Sequence, residues 1–436
     1  MKNLSSLKFR KILNDLKRRP EDAAEELGVT ESSIQNILQG KEEVSFELIK
    51  KAVSVWPVNY SDFFFVTDDT KNDYKIFRSS ESNTSKRKMY RNGKPYYLYK
   101  DTVMSKISSF RPEWIQQLSV VNDDSPDNPD VVFNNGHFLH QFTYFIGPVN
   151  FYYVENGVKK IAKMNTGDSM YIGPYIPHTF TTRKNDENIL GHILALTYSD
   201  KVDSENINEV VAIGKKLSPK FKINSSNEVK AFKENLIMYL KASSITKEIF
   251  QEFSNLNLDD LLEDKNIPNF TSLKKISNTL DINLRDLLPP IKNFSVKIKR
   301  YNDNKKWFYP SSKSKFYSIT ELASVNQLPN SKSLELTVLT NEEMEEDLEV
   351  PRHQYLYNIG DTETKIKIDK KIIEKFSPGD SIYMKPNIKH KFIGKSKILI
   401  LRIGGKISGD VLYQLSMVSD ENFSRLIEDN QPWFNK

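Results

Sequence analysis

Two histidines and a glutamine stand at a spacing that could hold a metal ion. His137 and Gln141 lie four residues apart, so on one strand both side chains would point to the same face, and His178 follows a Gly-Asp turn in a separate segment. Three ligands from two segments, with coordination positions left open, are typical of the facial triad with which Fe(II) activates oxygen. The usual third ligand is a carboxylate, whereas the amide of Gln141 would leave the iron more positive.

Two interpretations of these residues stay open at this point. Histidine and glutamine inside a barrel can also satisfy each other as a buried polar pair without metal. The chain has six histidines and no cysteine, so disulfides, zinc ribbons, iron–sulfur clusters and thiol nucleophiles are excluded. Any transition metal must therefore bind His, carboxylate or amide groups. For His140 a packing role is favoured, and His192 is given no role.

Anion-binding side chains precede the proposed ligands. Arg91 offers a planar fork for phosphate or phosphonate oxygens, and Tyr97 and Tyr99 alternate on a strand so that they share a face. Asn134, just before His137, could add an amide donor. Taken alone, the tyrosines are better explained by packing of a strand face, but together the residues predict an anion pocket beside the metal.

A long internal repeat organises the chain. HQFTYFIG matches HQYLYNIG, GDSMYIGPYIPHTF matches GDSIYMKPNIKHKF, and an upstream helical segment also occurs twice. The matching pairs begin at His140 and His353, at Gly167 and Gly379, and at Ser45 and Asn269. The position of His137 falls on Val350 in the second copy, which predicts that only the first copy retains a site.

The repeated unit combines a helical part with a β part. Residues 5–18 have helical periodicity, Pro20 suits the first turn of a second helix that Gly28 ends, and Thr30 is a good N-cap for a third. This segment resembles a phage-repressor helix-turn-helix. Residues 90–200 and 300–405 instead show short aromatic and β-branched runs between turns, which indicates antiparallel strands.

The spacing from Gly167 to His178, repeated from Gly379 to His390, resembles the second conserved motif of cupins. The predicted fold is therefore α+β, a tandem repeat of a helix-turn-helix-like helical domain and a cupin β-barrel, or bicupin. The predicted boundaries are 1–70 for the first helical domain, 71–205 for the metal-binding cupin, 206–292 for a degenerate second helical domain, and 293–436 for a second cupin without metal and a C-terminal tail.

Composition predicts a soluble, cytoplasmic protein. The N-terminus has no apolar core of the kind a secretion signal needs, and no apolar run approaches the length of a membrane span. The net charge of +6 is mild for 436 residues, so a solvated lysine-rich surface explains it better than a nucleic-acid partner.

Together these residues and this layout resemble the non-haem iron enzymes that oxidise hydroxyalkyl phosphonates, over essentially the whole chain. The resemblance implies that His137, Gln141 and His178 bind Fe(II). It also implies a set of phosphonate-binding residues, one of which is a lysine of a helical domain. This lysine could come from the same or another lobe or subunit, and several other cations lie close to it in the sequence. This set is Lys17, Arg91, Tyr97, Tyr99 and Asn134.

Gln141 selects among the activities of that family. Members that release hydroxymethylphosphonate and formate carry glutamate as the third ligand, whereas glutamine occurs in the branch that converts 2-hydroxyethylphosphonate and O2 to methylphosphonate and CO2 or bicarbonate. The resemblance thus implies C–C bond cleavage without 2-oxoglutarate or a reducing cofactor, in a possible homo-oligomer.

Two rivals are kept. One is the sister reaction to hydroxymethylphosphonate. The other is a transcription regulator, because a helix-turn-helix followed by a cupin is also a regulator layout, and Ser32, Ser33, Gln35 and Asn36 could read base edges. Against regulation, the preceding helix is acidic and would face phosphate poorly.

Overall fold

The computed structural model describes residues 4–108, 110–198, 202–224, 227–289, 295–369, 372–407, 409–428 and 431–433. Contacts divide the chain into two compact units. The smaller unit consists of Met1–Lys75, Met104–Ser109 and Lys406–Lys436, and the larger of Ile76–Val103 and Phe110–Gly405. Each is described separately.

The smaller unit is helical. Thr30 caps the third helix by accepting a hydrogen bond from the Ser33 amide, and Gly28 ends the second in the left-handed region at φ 67°, as predicted. The first helix ends two residues earlier than predicted. The helices are α1 (Leu4–Leu16), α2 (Pro20–Leu27), α3 (Glu31–Leu38), α4 (Phe46–Val55), α12 (Asp410–Ser416) and α13 (Asp420–Ile427), with a 3-10 turn at Tyr60–Phe63.

The larger unit carries a second group of helices between its two sets of strands. Phe232, Leu236, Phe250 and Ile276 form the buried centre of this bundle. The helices of the unit are α5 (Ser79–Thr84), α6 (Ser204–Ile213), α7 (Glu228–Ala242), α8 (Lys247–Ser254), α9 (Leu258–Glu263), α10 (Phe270–Leu280) and α11 (Leu284–Leu287).

The strands follow the predicted runs. Those of the first half are β1 (Tyr74–Phe77), β2 (Arg87–Arg91), β3 (Lys94–Asp101), β4 (Glu113–Gln117), β5 (Val120–Val121), β6 (His140–Ile146), β7 (Val149–Glu155), β8 (Val158–Met164), β9 (Ser169–Ile172), β10 (His178–Arg183) and β11 (His192–Tyr198). Those of the second half are β12 (Val296–Lys299), β13 (Lys306–Pro310), β14 (Lys315–Glu321), β15 (Ser331–Val338), β16 (His353–Asn358), β17 (Thr364–Ile368), β18 (Ile372–Phe376), β19 (Ser381–Met384), β20 (His390–Ile393) and β21 (Ser396–Ile403).

Each half forms a large and a small sheet, here called the first and second sheet pairs. The first pair joins the order β12-β9-β6-β11-β4-β3-β2 to the order β5-β10-β7-β8, and the second joins β1-β19-β16-β21-β15-β14-β13 to β18-β17-β20. Phe145, Phe151 and Ile193 are fully buried in the core of the first pair. Both large sheets are extended by a strand from the other half of the chain.

The Gly-Asp-Ser segments clamp the sheet pairs together. Asp168 accepts hydrogen bonds from Arg300 Nη1 at 2.9 Å and the Tyr301 amide at 2.9 Å. Asp380 makes the reciprocal contacts, with Arg78 Nη1 at 2.9 Å and the Ser79 amide at 2.8 Å. The repeated motif thus binds the opposite half in both copies.

The fold is therefore mixed helix and sheet, and no helix in the described part of the chain is both long enough and apolar enough to cross a bilayer.

Candidate metal and anion site

A cavity of about 160 Å³ in the first sheet pair gathers the predicted site residues, apart from Lys17. Strands of the large sheet supply the tyrosines and Gln141, and the small sheet supplies His178 at the start of β10. The predicted residues in the lining are Arg91, Tyr97, Tyr99, Asn134, His137, Gln141 and His178.

His137 reaches the cavity from a loop. The prediction that His137 and Gln141 share one strand was wrong, because β6 begins only at His140. Gly136 is in the left-handed region at φ 73°, and a Cβ there would lie 2.6 Å from the carbonyl carbon of Tyr175. The Tyr175 amide in turn donates to the His137 carbonyl at 2.7 Å. A tight loop, rather than strand alternation, therefore aims this imidazole.

Both histidines line the cavity and have Nδ1 beside a backbone carbonyl. His137 Nδ1 lies 2.8 Å from the Leu139 carbonyl oxygen, and His178 Nδ1 lies 2.8 Å from the Ile176 carbonyl oxygen. Because a carbonyl can only accept, Nδ1 carries the proton in each neutral ring and Nε2 keeps its lone pair. Burial lowers the pKa of His178 to about 4, which keeps that ring neutral near pH 7.

The Gln141 side chain aims its oxygen at the same point. Its Nε2 donates to Thr143 Oγ1 at 2.9 Å, so Oε1 faces His137 Nε2 at 3.1 Å. Two acceptors so close repel each other unless a cation lies between them. Two ligands bound at right angles with bonds of about 2.1 Å would lie about 3 Å apart, so the arrangement fits a metal ion.

The donor set is two imidazoles and one amide. No cluster of three His, Cys, Asp or Glu side chains occurs in the described ranges, in keeping with a third ligand that is neutral. The rings of His137 and His178 are 5.2 Å apart and nearly perpendicular, at 89°. Three protein ligands would leave further coordination positions of a metal ion open.

Asn134 is fixed with its amide nitrogen toward the site. Its Oδ1 accepts from the backbone amides of His178 at 2.8 Å and Gly136 at 3.0 Å. Nδ2 consequently points at His178 Nε2, 3.2 Å away. Once a metal engages that histidine, the same N–H can donate to a ligand oxygen.

Arg91 supplies the positive charge of the anion pocket. Its Nη1 donates to Thr179 Oγ1 at 3.0 Å and to the Val132 carbonyl, and its guanidinium packs on the rings of Tyr96 and Tyr97 at 4.8 and 5.0 Å. These contacts use Nη1, so the guanidinium keeps further N–H groups for an anion.

The two predicted tyrosines differ in what their hydroxyls contact. Tyr97 Oη accepts from the Phe180 amide at 2.9 Å and meets Thr179 Oγ1 at 2.9 Å. Tyr99 Oη has a long contact of 3.9 Å to Met89 Sδ. Burial, helped by the Glu113 carboxylate, raises the pKa of Tyr99 to about 12, so its hydroxyl stays a donor.

Sequence reasoning missed part of the lining. Glu113 and Ile115 alternate on β4 and Ala195 and Thr197 on β11, a pattern that strand periodicity could have revealed. Arg111 adds a second guanidinium from the segment just before β4. The additional lining residues are Arg111, Glu113, Ile115, Phe180, Ala195 and Thr197.

His140, His353 and Lys17 have local partners. His140 Nδ1 lies 2.7 Å from Tyr171 Oη, and His353 repeats this contact with Tyr383 Oη at 2.8 Å, so the packing role of His140 has a structural basis. Lys17 belongs to the smaller unit, where its Nζ donates to the Asp15 carbonyl at 2.9 Å.

At the position that corresponds to the candidate metal site, the second sheet pair contains the guanidinium of Arg402. The Asn387 amide donates to the Val350 carbonyl at 2.8 Å, the contact that Tyr175 makes with His137, so Val350 takes the place of His137. Arg402 Nε donates to Gln354 Oε1 at 3.2 Å. His390 Nε2 is buried and has no hydrogen-bond partner among the described residues.

Known proteins resemble the chain along its length. It is 46% identical over 435 residues, 98% of this chain and 94% of the other, to a methylphosphonate synthase of Nitrosopumilus maritimus (strain SCM1). A shorter match, 31% over 90 residues, covers 20% of this chain and 43% of the (S)-2-hydroxypropylphosphonic acid epoxidase of Streptomyces wedmorensis. No protein-family model matches the chain.

Solved structures agree with the fold. The 2-hydroxyethylphosphonate dioxygenase of Streptomyces albus, bound to 2-hydroxyethylphosphonate and Fe(II), superposes with a TM-score of 0.93 at 32% identity, covering 99% of both chains. Another hydroxyethylphosphonate dioxygenase structure gives a TM-score of 0.75 at 16% identity, covering 98% of this chain and 99% of that one, and supports the fold alone.

Proposed function

The chain belongs to the methylphosphonate synthase family of non-haem iron oxygenases, and on that premise we propose that it converts 2-hydroxyethylphosphonate and O2 to methylphosphonate and CO2 or bicarbonate. The observation that carries the proposal is the side chain of Gln141, whose oxygen is turned to His137 Nε2 by its hydrogen bond to Thr143. We also propose the finer architecture that the sequence predicts, two cupin barrels in tandem, each preceded by helices.

Iron would be held by His137 Nε2, Gln141 Oε1 and His178 Nε2. Bound Fe(II) would supply the chemistry of O2 activation. With three neutral ligands, the protein leaves both positive charges of the ion to be compensated by the substrate. A phosphonate dianion is the matching partner, which ties the amide ligand to an anionic substrate.

The phosphonate would lie between the metal and Arg91. The Arg91 guanidinium binds one side of the group, while Asn134 Nδ2 and Tyr99 Oη donate to its other oxygens. Tyr97 supports this wall through Thr179 and the Phe180 amide. In the family the helical domain adds a lysine, and Lys17 is our assignment for it.

The hydrocarbon side of the substrate would face an apolar wall. Ile115, Phe180 and Ala195 are apolar residues of the cavity lining, and all three are buried. Such a wall excludes water from the carbon atoms while the C–C bond breaks. The protein thus binds, orients and shields, and needs no further redox partner because the substrate supplies the electrons.

The smaller unit supports an enzyme better than a DNA-binding regulator. Its Arg18 is paired with Glu26 at 2.9 Å and Arg19 with Asp22 at 3.0 Å, so these cations are already neutralised. The Ser33 hydroxyl on the third helix is engaged by Glu42 at 3.2 Å. Phosphate backbones require available positive charge. Cytoplasmic location and a homo-oligomer stay predictions from the sequence.

The test is phosphorus NMR of protein loaded with Fe(II) and supplied with 2-hydroxyethylphosphonate and O2. We expect a methylphosphonate signal, with the lost carbon recovered as CO2 or bicarbonate. A hydroxymethylphosphonate signal with formate would assign the sister reaction instead. No turnover by iron-loaded protein would contradict the enzymatic proposal, and a promoter-specific gel shift would then favour regulation.

A further inference from the structure

A second and larger cavity, of about 360 Å³, lies on the opposite face of the first large sheet. It is lined by Lys100, Trp114 and His192, whose neighbours on the same strands face the metal and anion site. Alternation places the two cavities one sheet thickness apart. The other lining residues are Ser79, Ser82, Asn83, Leu98, Gln116, Ile146, Pro378 and Gly379.

The internal repeat shows what is missing from this cavity. Tyr301 and Ser79 occupy equivalent positions, since each follows the arginine that contacts the opposite Gly-Asp-Ser segment and each donates its amide to that aspartate. In one half the Tyr301 ring packs so closely on Gly167 that an added Cβ would lie 2.5 Å from it. In the other half, Ser79 faces Gly379 and the ring is absent.

In the half where the Tyr301 ring fills this space, hereafter the filled half, a carboxylate accepts a hydrogen bond from the tyrosine hydroxyl. Tyr301 Oη donates to Glu335 Oε1 at 3.1 Å. Glu335 pairs with Thr320 in the strand register, and Trp114 pairs with Lys100 in the equivalent strands. The cavity therefore has the indole of Trp114 where the other half has a carboxylate, and the ammonium of Lys100 where the other half has a threonine hydroxyl. We expect this exchange to favour an anion over a neutral phenol.

Lys100 is the charge that an occupant would meet. Its Nζ donates to Asn83 Oδ1 at 3.0 Å, and no ion pair to a carboxylate is found for it within the described ranges. Burial and the nearby Lys86 lower its pKa, and burial together with Lys100 lowers the pKa of His192. A partly desolvated ammonium beside a neutral imidazole favours a bound anion.

We propose that this cavity binds a small organic anion with a flat apolar body, an aromatic carboxylate in the simplest case. Its ring would take the place that Tyr301 fills in the other half and pack against Trp114, Leu98 and Pro378. Its carboxylate would pair with Lys100 and accept hydrogen bonds from the Ser79 hydroxyl and His192. Occupancy would alter the strands that carry Tyr99, Ile115 and Ala195 on their other face.

The experiment titrates benzoate into the full chain and follows binding by calorimetry and by tryptophan fluorescence, to which Trp114 in the cavity lining contributes. Two variants take their residues from the filled half, Ser79→Tyr, which supplies the ring, and Lys100→Thr, which removes the charge as in Thr320. We expect saturable binding of benzoate and about tenfold or greater weakening in each variant. Benzyl alcohol, a neutral ring of the same size, should bind about as weakly to the wild type as benzoate does to Lys100→Thr.

The controls separate this cavity from the metal and anion site. Arg91→Ala should leave benzoate binding unchanged, and both variants should bind Fe(II) as the wild type does. Benzoate binding that survives in Lys100→Thr, or equal binding of benzyl alcohol and benzoate, would overturn the proposal. So would loss of binding in Arg91→Ala. If Ser79→Tyr does not fold, Lys100→Thr with the two probes still decides.

Discussion

The two sheet pairs share their clamps and differ in the groups that face their equivalent glutamines. Both keep a Gly-Asp-Ser segment bound to the opposite half, and both keep a glutamine, Gln141 or Gln354, at the same point of the large sheet. In the second pair the glutamine oxygen is bound by Arg402, which stands in the register position of Thr197. In the described part of the first pair no guanidinium is hydrogen-bonded to the Gln141 oxygen, and the Nε2 atoms of His137 and His178 line the cavity instead.

The difference provides a physical reason why the second copy needs no metal at its glutamine. A guanidinium attached to the chain satisfies the buried amide oxygen permanently, and Val350 replaces the histidine that a metal would need. In the first copy the oxygen of the equivalent amide faces His137 Nε2, where we propose that the iron binds. We therefore expect the residues that both sheet pairs share to stabilise the fold. The residues found only in the first pair are expected to serve its function.

The largest expected effect is the loss of iron from His137→Ala. Removal of one of three ligands should abolish both Fe(II) binding at micromolar iron and product formation, measured by metal analysis of the purified protein and by phosphorus NMR. The matched variant His390→Ala should keep both, because its copy has Val350 in place of the first histidine and Arg402 bound to the glutamine oxygen. Equal behaviour of the two variants would contradict a single active copy.

The reverse change should create a site. Val350→His combined with Arg402→Thr gives the second pair the residues of the first, and we expect the bound iron to rise from one to two per chain in an anaerobic titration. Arg402→Thr alone should add none, since it restores the space without the histidine. A folded double variant that still binds one iron would show that the difference between the copies lies elsewhere.

A smaller effect is expected when Gln141 loses its positioning partner. Thr143→Val removes the hydroxyl that holds the amide nitrogen, so the amide can rotate and Fe(II) affinity should fall about 10- to 100-fold. Leu356 stands at the equivalent position of the second pair, and Leu356→Val should leave iron affinity unchanged. Iron affinity at the wild-type level in Thr143→Val would show that the hydrogen bond does not orient the ligand.

The smallest effects should separate the two tyrosines. Tyr99→Phe removes a hydroxyl that the second copy lacks, since Ile319 replaces it, and should raise KM for 2-hydroxyethylphosphonate up to about tenfold without changing Tm. Tyr97→Phe should lower Tm, as should Tyr317→Phe, because both hydroxyls accept the amide of the neighbouring sheet. A KM change in Tyr97→Phe at constant Tm would assign that hydroxyl to the substrate.

Much of the site could be predicted because short sequence motifs contain the proposed ligands and reveal the internal repeat. The structure brings His137, Gln141 and His178 to the lining of one cavity, although not by the strand alternation that the prediction assumed. Strand alternation was assumed for His137, whereas the glycine at 136 folds a loop back on Tyr175, a contact distant in sequence. The loop that carries His137 and the strand that carries Gln141 nevertheless bring both side chains to the same cavity.

Other features could not be predicted from local pattern. The role of Asp168 and Asp380 as clamps depends on arginines from the opposite half, and the motif by itself indicates only a turn. Likewise, the second cavity arises because Ser79 stands where Tyr301 stands in the other copy. That equivalence becomes visible only when the clamps align the two halves.

Anaerobic titration of the metal-free chain with Fe(II) and 2-hydroxyethylphosphonate, followed by a single exposure to O2, tests the central claim most directly. The account predicts one iron and one substrate per chain, one equivalent of methylphosphonate, and none of these in His137→Ala. Two irons per chain in the wild type, or methylphosphonate from His137→Ala, would contradict the assignment of the activity to the first sheet pair.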